Sequence, residues 1–385
     1  MRARRNRPLR SGGAIALLTA SALAAARPAA FTDASSLGHL DSDEQRVWSQ
    51  SNDMVLALQR GGVVYADPGV TAYVQGVMNR LFPQFEGRIH IEVLRSPQLN
   101  AFALPDGHVY INEGLLARFQ NEAQLATVLA HEGTHFTHRH GYQNQQSVKD
   151  NSAFATFGAM LGIPILPQLV AASSVFGFSR ELETEADKGG FQRLSSAGYD
   201  VHESPKVFEH LIAEIKAEDI KEPYFFASHP KLAERVDNMR KLAAGFPPGG
   251  AGTSHAAYAQ VMGKTRVDNL EQMLSMGRAK SALLMLADGE HMSELPHALY
   301  YLGEAYRLRA QPGDAQLAES AYLKAIAEAA DFAPSYRAVG VLYIKTQQYP
   351  AASKYLTRYL ELSPDASDRK YVESYLAIAR KKEAQ

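Results

Sequence analysis

His131 and His135 stand four residues apart inside the apolar run LATVLAHEGTHFTHRH, with Glu132 directly after the first. On a helix, residues i and i+4 share one face, about 6 Å apart along the axis. Two imidazoles placed this way can hold one metal ion. Glu132 is angled to reach a water on that ion. The chemistry implied is metal-assisted hydrolysis, and a metal-dependent peptidase is the leading function. Glu122, Leu125, Val128 and Leu129 lead into the motif at helical spacing, so periodicity also predicts a helix here.

Catalytic metal sites usually take three protein ligands and leave one position for water. The run Arg180-Glu181-Leu182-Glu183-Thr184-Glu185-Ala186-Asp187 could supply the missing one through Glu183. Asp187 follows four residues later, on the same helical face. It is placed to accept the free ring N–H of a ligating histidine. Taken alone this run reads as a solvated acidic helix face; paired with the two histidines it reads as a source of ligands. Mixed imidazole and carboxylate ligands suit zinc better than calcium or magnesium, and one zinc ion per chain is expected.

Around these residues the chain resembles a family of zinc metalloproteases that includes the CAAX prenyl proteases, the HtpX heat-shock proteases and periplasmic BepA-like proteases with C-terminal tetratricopeptide repeats. The matching text is Ser96-Pro97, then Asn100-Ala101-Phe102-Ala103-Leu104-Pro105-Asp106-Gly107-His108-Val109-Tyr110-Ile111-Asn112-Glu113-Gly114-Leu115-Leu116. It continues through Asn121 to Ala126 into the histidine motif and Arg139-His140, then Ser179-Arg180, Glu183 to Asp187, and Gly190. Ala197-Gly198-Tyr199-Asp200, His229-Pro230 and Arg235 close the set, which spans roughly residues 40 to 245.

The resemblance implies His131, His135 and Glu183 as zinc ligands, Glu132 as general base and Asp187 as the acid behind a ligating histidine. His229 matches a residue that in BepA-like proteases can approach the metal and hold the enzyme inactive; a helix-capping or core histidine is the other reading. Arg235 matches a basic residue that would orient His229, contact an acid near the metal, or steady the oxyanion. The segment Asn100, Ala101, Phe102, Ala103 matches a strand that borders the cleft and pairs with the substrate backbone, which is recognition by strand addition. One position departs from the family. Gly133 stands where a large apolar residue is usual, and glycine inside a helix costs about 1 kcal/mol against alanine.

The 385 residues are 46% hydrophobic with a formal net charge of −1, enough for two domains with buried cores and without the basic footprint of a nucleic-acid binder. There are no cysteines, which excludes disulfides and thiolate metal sites. Arg2, Arg4, Arg5, Arg7 and Arg10 precede a short apolar stretch from Gly12 to Ala26, with small-x-small sites at Ala22-Leu23-Ala24 and Ala24-Ala25-Ala26. This predicts a secretory signal peptide within residues 1–30 and a periplasmic mature protein.

The elements expected to position the motif follow from pattern. Helices are expected over 41–60, capped by Asp41, and over 70–81. A strand is expected over 89–93. A hairpin is expected from 101–104 and 109–111 around Pro105-Asp106-Gly107. Residues 153–178 are strongly apolar but carry Pro164 and Pro167, which argues against a membrane span. A buried helical hairpin is expected there, with a flap over the cleft or a peripheral membrane contact as alternatives. Helices over 207–215 and 232–242 complete a metalloprotease domain over 31–245, and residues 246–254 form a Gly/Pro-rich linker.

Beyond it, Tyr336, Gly340, Tyr343, Ala352, Leu356 and Pro364 fall at the spacing of a 34-residue tetratricopeptide repeat, and Leu299, Gly303 and Tyr306 open an earlier copy. Leu270 to Leu286 reads as a further helical pair and 368–381 as a capping helix. The expected fold is α+β and mostly helical: a gluzincin-type metalloprotease domain with a small β-sheet, then an all-α repeat solenoid over 255–385. The resemblance suggests unfolded or misassembled outer-membrane proteins as substrates, with the repeats docking onto assembly machinery. A largely latent protease that acts as a chaperone or assembly factor is the rival function.

Overall fold

The structure, a computed structural model, describes residues 27–147, 178–218, 232–287 and 295–384. Residues 1–26 of the expected signal peptide, 153–177 of the apolar stretch, and His229 lie outside the described residues.

Helix α1 (Ser42–Arg60) starts where the Asp41 side chain accepts the Glu44 backbone N–H at 2.8 Å, the cap expected from the sequence. Helix α2 (Pro68–Leu81) is capped by Asp67 and opens with proline, whose missing N–H costs nothing in the first turn. Strands β1 (His90–Leu94), β2 (Ala101–Ala103) and β3 (His108–Asn112) form a sheet in the order β1-β3-β2, with β1 parallel and β2 antiparallel to the central β3. The β2–β3 turn needs Gly107. Its φ is +96°, and a Cβ there would lie 2.5 Å from the Arg88 carbonyl oxygen.

Helices α3 (Glu113–Arg118) and α4 (Glu122–Thr137) follow, then α5 (His140–Ser147), α6 (Arg180–Ser196), α7 (Ser204–Glu218) and α8 (Leu232–Ala243). Helix α4 carries the histidine motif and is the centre of the domain: every residue from Ala123 to Thr137 is buried. It packs against β2, α2 and α6. Its start is fixed twice. Asn121 accepts the Gln124 N–H at 3.1 Å. Glu122 takes hydrogen bonds from Tyr73 (2.5 Å), Tyr199 (2.8 Å) and Arg80 (2.6 Å). Val74, Val77, Val109, Ile111, Leu115, Leu125 and Leu129 are fully buried around it. Each such side chain contributes about 1.5–3 kcal/mol by leaving water.

The C-terminal part is all helix: α9 (His255–Ser275), α10 (Ala279–Leu286), α11 (Ala298–Arg309), α12 (Asp314–Glu328), α13 (Ala333–Lys345), α14 (Tyr349–Leu362) and α15 (Arg369–Glu383). The pairs α11–α12 and α13–α14 close by a small residue facing a large one. A Cβ on Gly303 would sit 2.4 Å from the Tyr322 ring, and one on Gly340 would sit 2.7 Å from Leu356. Two features differ from the expected layout. The helix expected from Leu270 begins at His255, and its first half belongs to the core around α4, with Tyr258 and Met262 fully buried there. The Gly/Pro-rich linker is stitched down: Ala251 bridges to Tyr199, and the Ala123 N–H at the start of α4 donates to the Gly252 carbonyl at 2.9 Å.

Candidate metal centre

One turn of α4 brings His131 and His135 together, with their Nε2 atoms 3.0 Å apart. The third group comes from α6, which Ser179 caps. Two glycines let α6 lie on the motif helix. A Cβ on Gly190 would meet the His131 backbone nitrogen at 3.0 Å, and one on Gly189 would meet Thr134 Cγ2 at 2.6 Å. The close crossing puts Glu183 Oε2 3.5 Å from His131 Nε2 and Oε1 3.4 Å from His135 Nε2. The ligand atoms of all three residues lie within 4.8 Å of one another, and all three residues are buried. Two imidazole nitrogens and a carboxylate fit a borderline divalent cation.

Asp187 sits one turn beyond Glu183. Its Oδ1 is 2.9 Å from His131 Nδ1, so the ring N–H donates to it and leaves Nε2 facing the site. Arg235, from α8, donates to both oxygens of Asp187, from Nη2 at 2.6 Å and from Nε at 3.1 Å. Arg235 Nη2 also lies 3.1 Å from His131 Nδ1. A guanidinium cannot donate to a nitrogen that carries its own proton, so Asp187 is the shared acceptor. Of the three roles the sequence left open for Arg235, the geometry shows contact with an acid beside the candidate site. Its Nη1 is 3.8 Å from Glu183, and its guanidinium lies over the Phe208 ring at 4.3 Å.

The electrostatics follow from burial and these contacts. Burial works against the charge on Asp187, but the Arg235 charge and the His131 hydrogen bond hold its carboxyl down at about 2. Burial and Arg235 press the His131 pKa down, while its bonds to Asp187 and Glu183 prevail and lift it to about 9. Burial drives His135 well below the ordinary histidine value. Glu132, Glu183 and Asp187 form a buried acidic group around the buried guanidinium of Arg235. Three carboxylates against the guanidinium and a protonated His131 still leave an excess of negative charge, and a divalent ion that displaces the His131 proton would offset it.

Gly133 is accounted for by a side chain that the sequence did not flag. A Cβ at Gly133 would lie 2.3 Å from Phe82 Cε2, so the Phe82 ring occupies the space of the usual large residue. Phe82 ends α2, and the Arg193 guanidinium of α6 lies over its ring at 5.0 Å. A glycine in the middle of a buried helix is itself a signal that a bulky neighbour presses there. Phe178 is a second unforeseen contact, stacking on His135 with ring centroids 4.0 Å apart. A third group lies behind His135. His140 Nδ1 is 2.9 Å from His135 Nδ1. Beyond it Glu185 accepts from His138 Nδ1 at 2.7 Å and lies 3.7 Å from His140 Nε2.

The expected substrate strand is the edge strand β2, beside α4, and Asn100, Ala101, Phe102 and Ala103 are all buried. His131, Glu132, His135 and Glu183 are only 4%, 0%, 1% and 5% exposed, so the site is buried.

Residues 66–243 match the model of the family described as Peptidase family M48. Among curated relatives, a mitochondrial metalloendopeptidase OMA1 from Arabidopsis thaliana is 38% identical over 123 residues, covering 31% of this chain and 25% of the relative. An OMA1 of the same description from Schizosaccharomyces pombe is 32% identical over 184 residues, 46% of this chain and 53% of the relative. A beta-barrel assembly-enhancing protease from Yersinia pestis is 28% identical over 198 residues, 47% of this chain and 40% of the relative. The chain thus spans about half or less of the length of these relatives.

Proposed function

We propose that the protein, whose residues 66–243 match the Peptidase family M48 model, is a zinc-dependent endopeptidase of the periplasm that hydrolyses unfolded or misassembled envelope proteins. The observation that carries the reading is the buried convergence of His131, His135 and Glu183 beside Glu132. These three residues would hold the zinc ion. Zinc bound there would polarise the scissile carbonyl and acidify its water. Glu132 takes the proton of the attacking water and returns it to the leaving amine. Asp187 fixes the tautomer of His131, and Arg235 keeps Asp187 ionised for that task. The substrate backbone lies along the β2 edge from Asn100 to Ala103, read through main-chain hydrogen bonds.

The substrate class rests on the name of the Yersinia relative, a beta-barrel assembly-enhancing protease. The periplasmic location rests on the signal-like N-terminus. The paired helices α11 to α14, with their repeat spacing, support a tetratricopeptide-repeat solenoid whose concave face docks onto outer-membrane assembly machinery. Peripheral membrane contact through 153–178 belongs to the same proposal.

The test is cleavage of an unfolded outer-membrane β-barrel protein. Glu132→Gln is expected to keep one zinc per chain and to lose cleavage; retained cleavage removes Glu132 from the base role. The burial of the site favours a second reading, a protease latent until a substrate or partner opens it. His229→Ala then raises cleavage, and an unchanged rate rejects His229 as the latch.

A further inference from the structure

We propose that His140 is a positioning residue for His135: its Nδ1 accepts the His135 Nδ1–H and so points His135 Nε2 at the metal, as Asp187 does for His131. This rests on the zinc reading above, since it needs His135 to bind metal through Nε2. With the metal on Nε2, the only proton left on the ring is on Nδ1. The atom facing that proton, at 2.9 Å, is His140 Nδ1. Both rings are buried, with His140 0% exposed. His140 must then carry its own proton on Nε2, which makes no hydrogen bond in this structure and has Glu185 Oε2 3.7 Å away. Glu185 is held in turn by His138.

The backbone is shaped for this contact. Helix α4 ends at Thr137, and Arg139 adopts φ +59°, a left-handed conformation that costs a non-glycine residue about 1 kcal/mol or more. Glu44 of α1 holds Arg139 by an ion pair, the Ala29 carbonyl accepts from it at 3.2 Å, and its guanidinium lies over Phe31 and Tyr142. The turn at Arg139 stops α4 and begins α5 at His140, so that the His140 ring comes back to His135 five residues earlier.

His138, His140 and Glu185 could also be read as a second cation site. The shared hydrogen bond opposes that. A cation on His140 Nε2 would force the His140 proton onto Nδ1, where it would face the His135 proton with no acceptor between them. The geometry therefore assigns the cluster to orientation of the first site.

Asparagine and glutamine separate the two roles, because the Asn carbonyl oxygen falls near the Nδ1 position of histidine and the Gln carbonyl near Nε2. Zinc stoichiometry, zinc affinity by chelator competition and the visible spectrum of the cobalt-substituted protein would be measured on the full chain for wild type, H135A, H140N, H140Q and H138A. The wild type is expected to bind one zinc tightly, and H135A to lose it. H140Q is expected to bind roughly 10–100-fold more weakly with altered cobalt bands, while H140N stays close to wild type. Equal affinities and spectra for H140N, H140Q and wild type would overturn the proposal. So would equal losses in H140N and H140Q, or a second zinc equivalent that H138A removes. If H135A binds zinc as wild type does, the metal reading itself fails, whatever the position 140 variants do.

Discussion

At the scale of single residues, the candidate centre is a problem of buried charge. Arg235 faces Asp187 at 2.6 Å and Glu183 at 3.8 Å with all three side chains out of water. Removing one partner of such a group leaves uncompensated charge, at about 3–5 kcal/mol. Arg235→Ala is therefore expected to lower the melting temperature strongly in the metal-free protein, and less once zinc is added, because the ion offsets the same carboxylates. Equal losses with and without zinc in thermal melts would contradict the charge balance. Phe82 and Gly133 make a second, purely steric pair. Phe82→Ala opens a cavity worth about 3–5 kcal/mol. Gly133→Ala overpacks the same space, at about 1–3 kcal/mol. In the double variant the two changes partly cancel, so its denaturant midpoint should lie above the additive value. His131, His135 and Glu132 were legible as a candidate site from spacing and chemistry, while the choice of Glu183 as third ligand leaned on the family resemblance. Phe82, Phe178 and the bond between His135 and His140 were not, because side chains distant in sequence or beyond a helix end meet only through tertiary packing.

At the scale of elements, the crossing of α6 over α4 decides whether Glu183 reaches the histidines. Gly190→Val would push against the His131 backbone, 3.0 Å from a Cβ, and is expected to weaken zinc binding more than it lowers helix content; competition with a chelator beside circular dichroism checks this. Glu113, at the start of α3, is buried, and α3 packs against α9. Burial, with the Asp268 charge adding and Arg95 and Lys264 opposing, pushes its carboxyl up to about 7. Between about 4.5 and 7 the folded chain keeps a proton that the unfolded chain has released. Stability therefore falls as pH rises through that window and stays lowered above it. Glu113→Gln removes the slope. Its unfolding free energy from denaturant titration should match wild type near pH 4.5 and exceed it at pH 8, by on the order of 3 kcal/mol. Helices α1, α2 and α4 and the hairpin were legible from apolar periodicity, the Asp41 cap of α1 and the turn residues of the hairpin. The first half of α9 was not, because Thr265, Arg266 and Asn269 are among its buried residues and blur the apolar stripe.

At the scale of the whole molecule, the protease and the C-terminal helices share structure. Tyr258 donates to the Leu116 carbonyl at 3.0 Å and Arg266 to the Phe119 carbonyl at 2.9 Å, so α9 holds the loop that leads into the motif helix. A chain ended after Ser254 is expected to lose cooperative unfolding, whereas one ended after Ala287 keeps it. Calorimetry of the two truncations decides this, and a cooperative transition in the shorter chain would show that α9 is dispensable. Composition marked a linker at 246–254; the hydrogen bonds it makes with Gly198, Asp200 and Ala123 are long-range in sequence, which composition does not report. One zinc ion is proposed to occupy the buried group formed by α4 and α6. The most direct measurement is the zinc content of the purified full chain beside that of His131→Ala, His135→Ala and Glu183→Ala. One zinc per chain is expected in the wild type, with loss of tight binding in each variant. A wild type that takes up no zinc when zinc is supplied, or variants that keep a full equivalent, would contradict it.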